Sequence, residues 1–387
     1  MNRKITNSFF TFQGWALTLM KKFFGLVITS IMNMKNLIQS LGIILTIWAT
    51  SCFLLGDSSK ILSLQGKKGP GQGKTVVLVS GDEEYRTEES MPMLAKILAE
   101  KHGFDCKVLF AWDKSEKYID PNNQLGVVGW KSLEEADLML IGTRFRKPNV
   151  SDAVYITNFL NSGKPIIGIR TSTHAFNGGD KFGDKISYGQ FGPMIMGEGW
   201  VSHHGKHKVE GARGMIETKN AAHPILQGVT DVFGPSDVYG IRRLTEKDTI
   251  LMRGAVTQSL APDSSFVDSK NDPMQPLAWI HPYTAPNGKK GTTFCTTMGA
   301  SVDLVSEDLR RMLVNSVYFL TGLKVPENAD VHYVDPFYPS FYGFIKDKEF
   351  WPSQDMQAED YGLGKTPHAP DPKGTPDWAF RDVPEKQ

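Results

Sequence analysis

The stretch that most constrains the fold of this chain is residues 164–176, KPIIGIRTSTHAF. It begins with a short apolar run, residues 165–169, which predicts a buried parallel strand. Polar residues follow at once, so the strand must end in a sharp turn. In α/β folds, such a turn at the carboxyl end of a central strand presents reactive groups. A Ser or Cys nucleophile is usual at its tip, whereas this chain has Arg170.

The composition allows a large core and gives no sign of a nucleic-acid partner. The chain has 387 residues, of which 40% are apolar, enough for one large domain or two small ones. Lys and Arg number 43 against 42 Asp and Glu, so no excess of positive charge favours nucleic acid. The three Cys residues form no CxxC pair, which argues against a disulfide framework or a zinc–thiolate site.

Residues 1–56 predict a targeting segment. They contain two apolar stretches separated by lysines, and Met34 is an alternative start for the second stretch. A basic start, a short apolar core and small residues before a cleavage site are typical of an export signal. The letters ATSC end at Cys52 and resemble a bacterial lipobox. A signal peptide, a lipoprotein signal and a membrane anchor remain as alternatives, and each predicts an exported protein that is periplasmic or attached to a membrane.

The remaining chain divides into a linker, a domain and a tail. Residues 57–73 are rich in Gly, Lys and Ser and predict a flexible linker. Residues 74–325 show the order strand, helix, strand, strand, helix, strand, which predicts a parallel sheet with helices on both faces. Residues 326–387 are rich in aromatic residues and Pro, too apolar for a disordered solvating segment. We expect this tail to lie extended against the domain or to serve as an interaction arm.

Three polar loops follow strands of the predicted sheet, at residues 82–86, 144–146 and 170–174. Because the carboxyl ends of parallel strands meet at one edge of a sheet, these loops are expected to form the binding site. The acids of the first loop predict either a general base or acids at a helix N-terminus. The arginines of the second predict bidentate binding of an oxygen-rich ligand, an ion pair with the acidic loop, or both.

Several segments resemble the ThuA-like (trehalose-utilisation) family. They are VLVSGDEEYR at the first strand of the domain, KPIIGIR at the elbow and FGPMIMGEGWVSHHGKH after it, within a match from about Lys74 to Val325. The resemblance implies a class I glutamine amidotransferase-like fold: a flavodoxin-like three-layer α/β sandwich with a parallel central sheet, to which this chain adds further β segments and its tail. It also implies a sugar or sugar-derived ligand.

The chain departs from the family at two positions. Family members often carry His at the elbow, where this chain has Arg170, and His after a late Gly, where it has Ala300. The Cys-His-Glu triad of the amidotransferases is missing as well, since Cys106 and Cys295 lie inside predicted strands. Hydrolysis of glutamine is therefore disfavoured.

Roles are assigned to the polar residues with their ordinary alternatives left open. Arg170 is expected to contact a ligand or an oxyanion, because long cations are rarely held at tight buried turns. His174 predicts a general base or a packed His. The predicted catalytic residues are Arg170, His174, His203 and Glu83. The predicted substrate-binding residues are Asp82, Glu84, Tyr85, Arg86, Arg144, Arg146, Thr171, Ser172, His204, Asp237 and Tyr239.

The histidines at residues 203, 204 and 207 also raise the question of a metal. Three imidazoles at this spacing suit zinc, but Gly205 and Lys206 argue against a regular helix, and no acid lies in the immediate cluster. A contact between one of these histidines and the substrate is the favoured interpretation. We predict no metal and no cofactor.

The resulting hypothesis is an exported ThuA-like protein that acts on a sugar or an oxidised (keto) sugar by acid/base proton transfer, without a Cys nucleophile. Its predicted partner is a small-molecule sugar, and a homo-oligomer is left open. One alternative is a non-catalytic carbohydrate-binding module. The other is a partner subunit of secreted sugar oxidoreductases.

Overall fold

The structure is a computed structural model that describes residues 60–378. The predicted targeting segment at residues 1–56, including Cys52, lies outside the described residues. Within the described part of the chain, no helix has both the length and the hydrophobicity needed to cross a bilayer.

The described strands are, in chain order, β1 (Ile61–Leu64), β2 (Thr75–Gly81), β3 (Asp105–Leu109), β4 (Leu138–Thr143), β5 (Ile166–Ile169), β6 (Lys181–Phe182), β7 (Ile186–Ser187), β8 (Ala212–Ile216), β9 (Val232–Gly234), β10 (Thr249–Val256), β11 (Gln275–Thr284) and β12 (Lys290–Thr296). Ten of them form one sheet in the order β1-β3-β2-β4-β5-β12-β11-β10-β8-β9, while β6 and β7 pair separately.

The centre of this sheet is parallel, as predicted. Strands β3, β2, β4, β5 and β12 lie side by side in this order and run parallel to one another. The antiparallel strands β11, β10, β8 and β9 extend the sheet beyond β12, and β1 closes the opposite edge antiparallel to β3. The predicted elbow strand is β5, which lies between two parallel neighbours and is buried throughout.

Helices cover both faces of the sheet. They are α1 (Thr87–His102), α2 (Val150–Asn161), α3 (Glu307–Leu320) and the short α4 (Phe350–Gln354). Apolar residues of α1 and α3 share one core with one face of the sheet, and those of α2 belong to a second core on the other face. The prediction of a three-layer α/β sandwich with β additions is confirmed.

The segment before β2 differs from the linker prediction. Residues Ile61–Leu64 pair with β3 in register, from Ile61 opposite Leu109 to Leu64 opposite Cys106. The following glycines pack against the end of α1, since a Cβ on Gly66 would lie 2.2 Å from the carbonyl oxygen of Gly103. Residues 60–73 therefore belong to the folded domain. The pattern missed this because the segment has only one short apolar run.

The tail is extended and packs on the domain as far as it is described. Several of its aromatic side chains are buried, among them Phe341 and Tyr342, both 0% exposed, and Trp351 at 4%. Tyr361 also joins the core on the α1 face. Of the two alternatives that the composition left open, this packing matches the tail that lies against the domain.

Candidate functional site

The elbow predicted after β5 is present, and its hydroxyl groups stabilise it. Arg170 has a φ of 45°, in the left-handed region, and its backbone N–H donates to the carbonyl oxygen of Met298 at 3.0 Å. A short 3₁₀-helix, Arg170–His174, follows. The hydroxyl of Ser172 is 2.6 Å from the carbonyl oxygen of Ile141, and that of Thr171 donates to the carboxylate of Asp82. Both hydroxyls are engaged in structure rather than in the predicted substrate contacts.

The side chain of Arg170 is committed to the interior of the protein. Its guanidinium donates to the carbonyl oxygens of Asp237 (2.7 Å) and Thr297 (2.8 Å), to Asp237 Oδ1 (3.0 Å) and to the hydroxyl of Tyr85 (3.1 Å). The rings of Tyr85 and Tyr239 lie 4.5 and 3.9 Å from the guanidinium carbon. Arg170 is 0% exposed. A direct ligand contact, as predicted from the sequence, does not fit this geometry, and the residue instead fixes Asp237.

Asp237 is the centre of a network of ionisable side chains. Its Oδ2 lies 2.6 Å from Nδ1 of His203, and its Oδ1 lies 3.0 Å from Nδ1 of His207. The other nitrogen of His207, Nε2, lies 3.4 Å from Oε1 of Glu84. An acid–histidine–acid–histidine chain thus runs from Glu84 to His203. His203 is the most exposed member, with 35% of its side chain accessible.

The charges of this network are mutually reinforcing. Burial alone would raise the pKa of Asp237, but Arg170 and the two histidines lower it below its usual range. Burial would likewise raise the pKa of Glu84, and its hydrogen bond with His207 and the charge of Arg144 bring it below the ordinary value. For His207 the balance is opposite: burial lowers its pKa, and hydrogen bonds with Asp237 and Glu84 raise it above the ordinary value.

The tautomer of His203 follows from its partner. An ionised carboxylate only accepts hydrogen bonds, so Nδ1 of His203 donates to Asp237. In the neutral ring Nε2 is then the proton acceptor, and no residue between 60 and 378 forms a hydrogen bond with it. This pair has the arrangement in which a buried acid orients a histidine base.

The network borders an open cleft of about 300 Å³. The residues that line the cleft are Glu84, Tyr85, Arg144, Phe145, His174, Trp200, His203 and Tyr239. Six of these were predicted as site residues. Trp200 is 40% exposed and packs edge-on against Tyr239, with ring centroids 4.7 Å apart. The cleft lining therefore combines an aromatic wall with one carboxylate, one guanidinium and two imidazoles, of which His203 is the more exposed.

His174 lines the cleft but is poorly suited to the predicted role of general base. Burial and the nearby cations Arg144 and Arg170 lower its pKa to about 3. Its Nδ1 lies 3.1 Å from the hydroxyl of Thr173, and its ring packs between Phe145 and Trp200, each centroid 4.9 Å away. The imidazole is thus neutral near pH 7 and only weakly basic, as expected of a packed His.

The acidic loop and the basic loop neutralise each other, as one alternative predicted. Both Arg144 and Arg146 bind the carboxylate of Glu83, Arg144 at 2.6 Å. Arg146 is 1% exposed, whereas 21% of the Arg144 side chain remains accessible at the cleft. Asp82 lies beneath them at 0% exposed, and burial together with the charge of Glu83 raises its pKa to about 6. Glu83 therefore positions the arginines, and the predicted catalytic role does not fit its pairing.

Two further predicted residues point away from the cleft. The guanidinium of Arg86 donates to the carbonyl oxygen of Gly343 at 2.8 Å and pairs with Glu88 at 3.3 Å. The ring of His204 lies 2.7 Å from the carbonyl oxygen of Lys270, although its neighbour His203 faces the cleft. His203 forms an isolated β-bridge with Tyr239, whereas His204 lies at a bend, so only one of this pair reaches the site.

Some site residues were not predicted. Phe145 lies between the two arginines of the basic loop and has a φ of 50°, and Trp200 comes three residues before His203. Both lie in or beside segments that the sequence had marked as candidate loops. Their position as aromatic residues next to such loops was the signal that could have identified them. Tyr342 and Phe344 contact the site from the tail, and nothing local in the sequence marks them.

His203, His207 and Asp237 form a group with the composition of a metal site, since one ligand atom of each lies within 4.8 Å of the others. The Nδ1 atoms of both histidines already face the oxygens of Asp237 at hydrogen-bond distance. Arg170, buried against the same carboxylate, places a positive charge beside any cation bound there. The donor set thus suits a divalent ion in ligand type but not in its surrounding charge.

The described cysteines take no part in the site. Cys106 in β3 and Cys295 in β12 are both buried, and burial raises the pKa of each thiol. Neither lines the cleft, and a buried protonated thiol is a poor nucleophile.

The fold and the position of the cleft define an α/β protein with its candidate site at the carboxyl ends of parallel strands. No protein-family model and no curated protein matches the chain. Among solved structures, the chain is similar to a thua-like protein from Bacteroides uniformis, at 13% identity over 66% of this chain and 93% of that chain, with a TM-score of 0.43. It is also similar to one from Parabacteroides merdae, at 12% identity over 65% and 92%, with a TM-score of 0.44.

Proposed function

We propose that this chain is an enzyme that moves a proton on a sugar or keto sugar bound in the cleft, with His203 as the general base. The observation that carries the proposal is the pair formed by Asp237 and His203. A buried carboxylate holds Nδ1 at 2.6 Å, which leaves Nε2 as a proton acceptor on an imidazole that is 35% exposed at the cleft.

The proposed mechanism gives roles to the aromatic wall, to His203 with Asp237, and to Arg144. The rings of Trp200 and Tyr239 offer an apolar surface for the C–H face of a sugar ring, a common feature of ligand clefts. Nε2 of His203 takes a proton from a carbon next to a carbonyl, and the electron pair moves to the carbonyl oxygen. Arg144 lines the same cleft and stabilises the negative charge on that oxygen. The imidazolium, stabilised by Asp237, then gives the proton to the former carbonyl carbon, and the hydroxyl proton of the first carbon passes to the oxyanion. The carbonyl thereby moves by one carbon.

Arg170 enters this mechanism indirectly. Because its guanidinium pairs with Asp237 and keeps that carboxylate ionised, Asp237 accepts the hydrogen bond from Nδ1 of His203. Loss of Arg170 is expected to disturb the hydrogen bond between Asp237 and His203 without removing any group that touches the substrate.

Exchange of carbon-bound hydrogen for deuterium is the direct test. An NMR time course in D₂O, on a panel of 3-keto and unmodified disaccharides, would compare wild type with His203→Gln and Asp237→Asn. His204→Gln is the matched control, because that ring is bound to the carbonyl oxygen of Lys270. Exchange that is lost in the first two variants and kept in the control and in EDTA supports the proposal.

A non-catalytic carbohydrate-binding module is the second candidate. It is favoured by the elbow, where Arg170 replaces the usual nucleophile and both of its terminal nitrogens are bonded to protein groups. Sugar binding seen by line broadening, without exchange or turnover of any member of the panel, would support the module and contradict the enzyme.

A further inference from the structure

The tail contributes a segment that touches the site at several points. We call residues 340–344, SFYGF, the strap. The backbone N–H of Gly343 donates to the carbonyl oxygen of Glu84 at 2.7 Å, and the carbonyl oxygen of Gly343 accepts from Arg86 at 2.8 Å. The strap is therefore bonded to the backbone of the loop that supplies Glu84 to the cleft.

Tyr342 of the strap packs against two rings of the site, those of Tyr85 and His207. Its ring stacks on that of Tyr85, with centroids 5.1 Å apart and an interplanar angle of 27°. It also meets the ring of His207 edge-on at 5.2 Å. Its hydroxyl donates to the carbonyl oxygen of Pro235, two residues before Asp237. One buried side chain thus contacts the supports of Glu84, His207 and Asp237 together.

The strap is itself held by a buried acid of α1. Glu89 accepts hydrogen bonds from the backbone N–H of Ser340 (2.9 Å), the hydroxyl of Ser340 (2.5 Å) and the N–H of Ala369 (2.9 Å). At the other end of the strap, Phe344 lies 5.0 Å from the guanidinium carbon of Arg144. Both ends of the strap are fixed, so Tyr342 and Gly343 have little freedom to move away from the site.

We propose that the strap is a positioning element of the site, which holds Glu84 and His207 in their bonded arrangement with Asp237. This inference deepens the proposed function and rests on it for its catalytic consequence. Tyr342 and Gly343 touch no substrate in this scheme. They act through His207 and Glu84, so their loss is expected to lower kcat by tenfold or more while the Kd for the sugar changes by less than threefold.

Two substitutions in the full chain, Tyr342→Ala and Gly343→Ala, test the strap, and each has a matched control. Tyr342→Ala removes both ring contacts, and Tyr342→Phe keeps them and loses the hydroxyl group with its bond to Pro235. Gly343→Ala is the milder second variant: the φ of Gly343 is 150°, and a Cβ there would lie 2.7 Å from Nζ of Lys208. Gly364→Ala is its matched control in the tail, because a Cβ at Gly364, also at positive φ, meets no atom within 4 Å.

The measurement is the ¹⁵N–¹H NMR spectrum of the histidine ring N–H groups, recorded beside kcat and sugar Kd. In wild type the ring N–H protons of His207 are expected to be visible, because Asp237 and Glu84 protect them from exchange; His207→Gln identifies the signals. They should vanish in Tyr342→Ala and Gly343→Ala and remain in Tyr342→Phe and Gly364→Ala. If Tyr342→Ala does not fold, Gly343→Ala alone decides.

The outcomes separate the two proposals. Signals and kcat unchanged in a folded Tyr342→Ala or Gly343→Ala variant would overturn the positioning role, as would an equal loss in Gly364→Ala. If wild type turns over no sugar while the His207 signals vanish in Tyr342→Ala and Gly343→Ala, the proposed enzyme is refuted and the structural role of the strap is supported.

Discussion

Replacement of Arg170 by Met should destabilise the protein far more than loss of an exposed arginine does. Met keeps much of the apolar stem and removes the charge. Asp237, whose side chain is 0% exposed, then keeps only the two histidines as side-chain partners. Removal of one partner from a buried ion pair costs about 3–5 kcal/mol, because the other charge stays buried and loses a partner. We expect a loss of about that size in the free energy of unfolding.

The assay is urea unfolding of the full chain, followed by tryptophan fluorescence. Arg243→Met is the control, because 62% of that side chain is exposed and its guanidinium lies 3.7 Å from the carboxylate of Glu198. Glu198 is buried but keeps the backbone N–H groups of Gly199, Arg242 and Arg243 as donors, so the control should unfold near the wild-type midpoint. Equal midpoints for the two variants would refute the assignment of Arg170 to a buried structural pair.

A double-mutant cycle sharpens the same test. In Arg170→Met with Asp237→Asn, neither partner leaves an uncompensated charge, so the double variant should lose less stability than the sum of the single variants. Strictly additive losses would mean that the charge of Arg170 does not act through Asp237.

Three further outcomes are expected. His174, with its pKa lowered to about 3, should show a neutral ring by NMR from pH 8 to about pH 4, and its burial should remove stability as the pH falls from about 6.5 toward 3; a ring that protonates near pH 6.5 would contradict its burial. Burial raises the pKa of Glu88 to about 7, so the folded state should lose stability as the pH rises from 4.5 through 7, and Glu88→Gln should weaken this dependence in urea unfolding at pH 5 and pH 8; identical pH profiles for the variant and wild type would exclude it. Trp200→Ala should weaken sugar binding by about tenfold, which corresponds to about 1.4 kcal/mol, whereas Phe266→Ala, at a residue 39% exposed and absent from the cleft lining, should leave the sugar Kd unchanged.

The sequence predicted the elbow because its signal is local. A short apolar run followed by polar residues has few alternatives, and β5 with the left-handed Arg170 follows it closely. The role predicted for Arg170 does not fit the structure, because the signal for its contacts is not local. Its partners Tyr85, Asp237 and Thr297 lie 85, 67 and 127 positions away in sequence. No local pattern shows that an arginine at a buried turn will find four acceptors.

The direction of side chains was the other limit. His203 and His204 are adjacent and chemically identical, yet one faces the cleft and the other binds the carbonyl oxygen of Lys270. His203 forms an isolated β-bridge with Tyr239, which sets its direction. The segment is irregular and rich in Gly, so no periodicity predicted which residue would face the site. The linker prediction failed for a related reason. Residues Ile61–Leu64 form a strand by pairing with β3, and the local sequence does not show that partner.

The strap also affects when the site is complete during synthesis. Ser340 and Glu89 are 251 positions apart, so the elbow and its acidic loop leave the ribosome long before the segment that supports them. Contacts of such separation form late, because the loop between them must close first. A chain that stops before the strap would contain β5, Arg170 and the paired loops, but not the ring of Tyr342 beside His207. Completion of the site thus depends on completion of the chain, and in a truncated product Glu84 and His207 would lack their support.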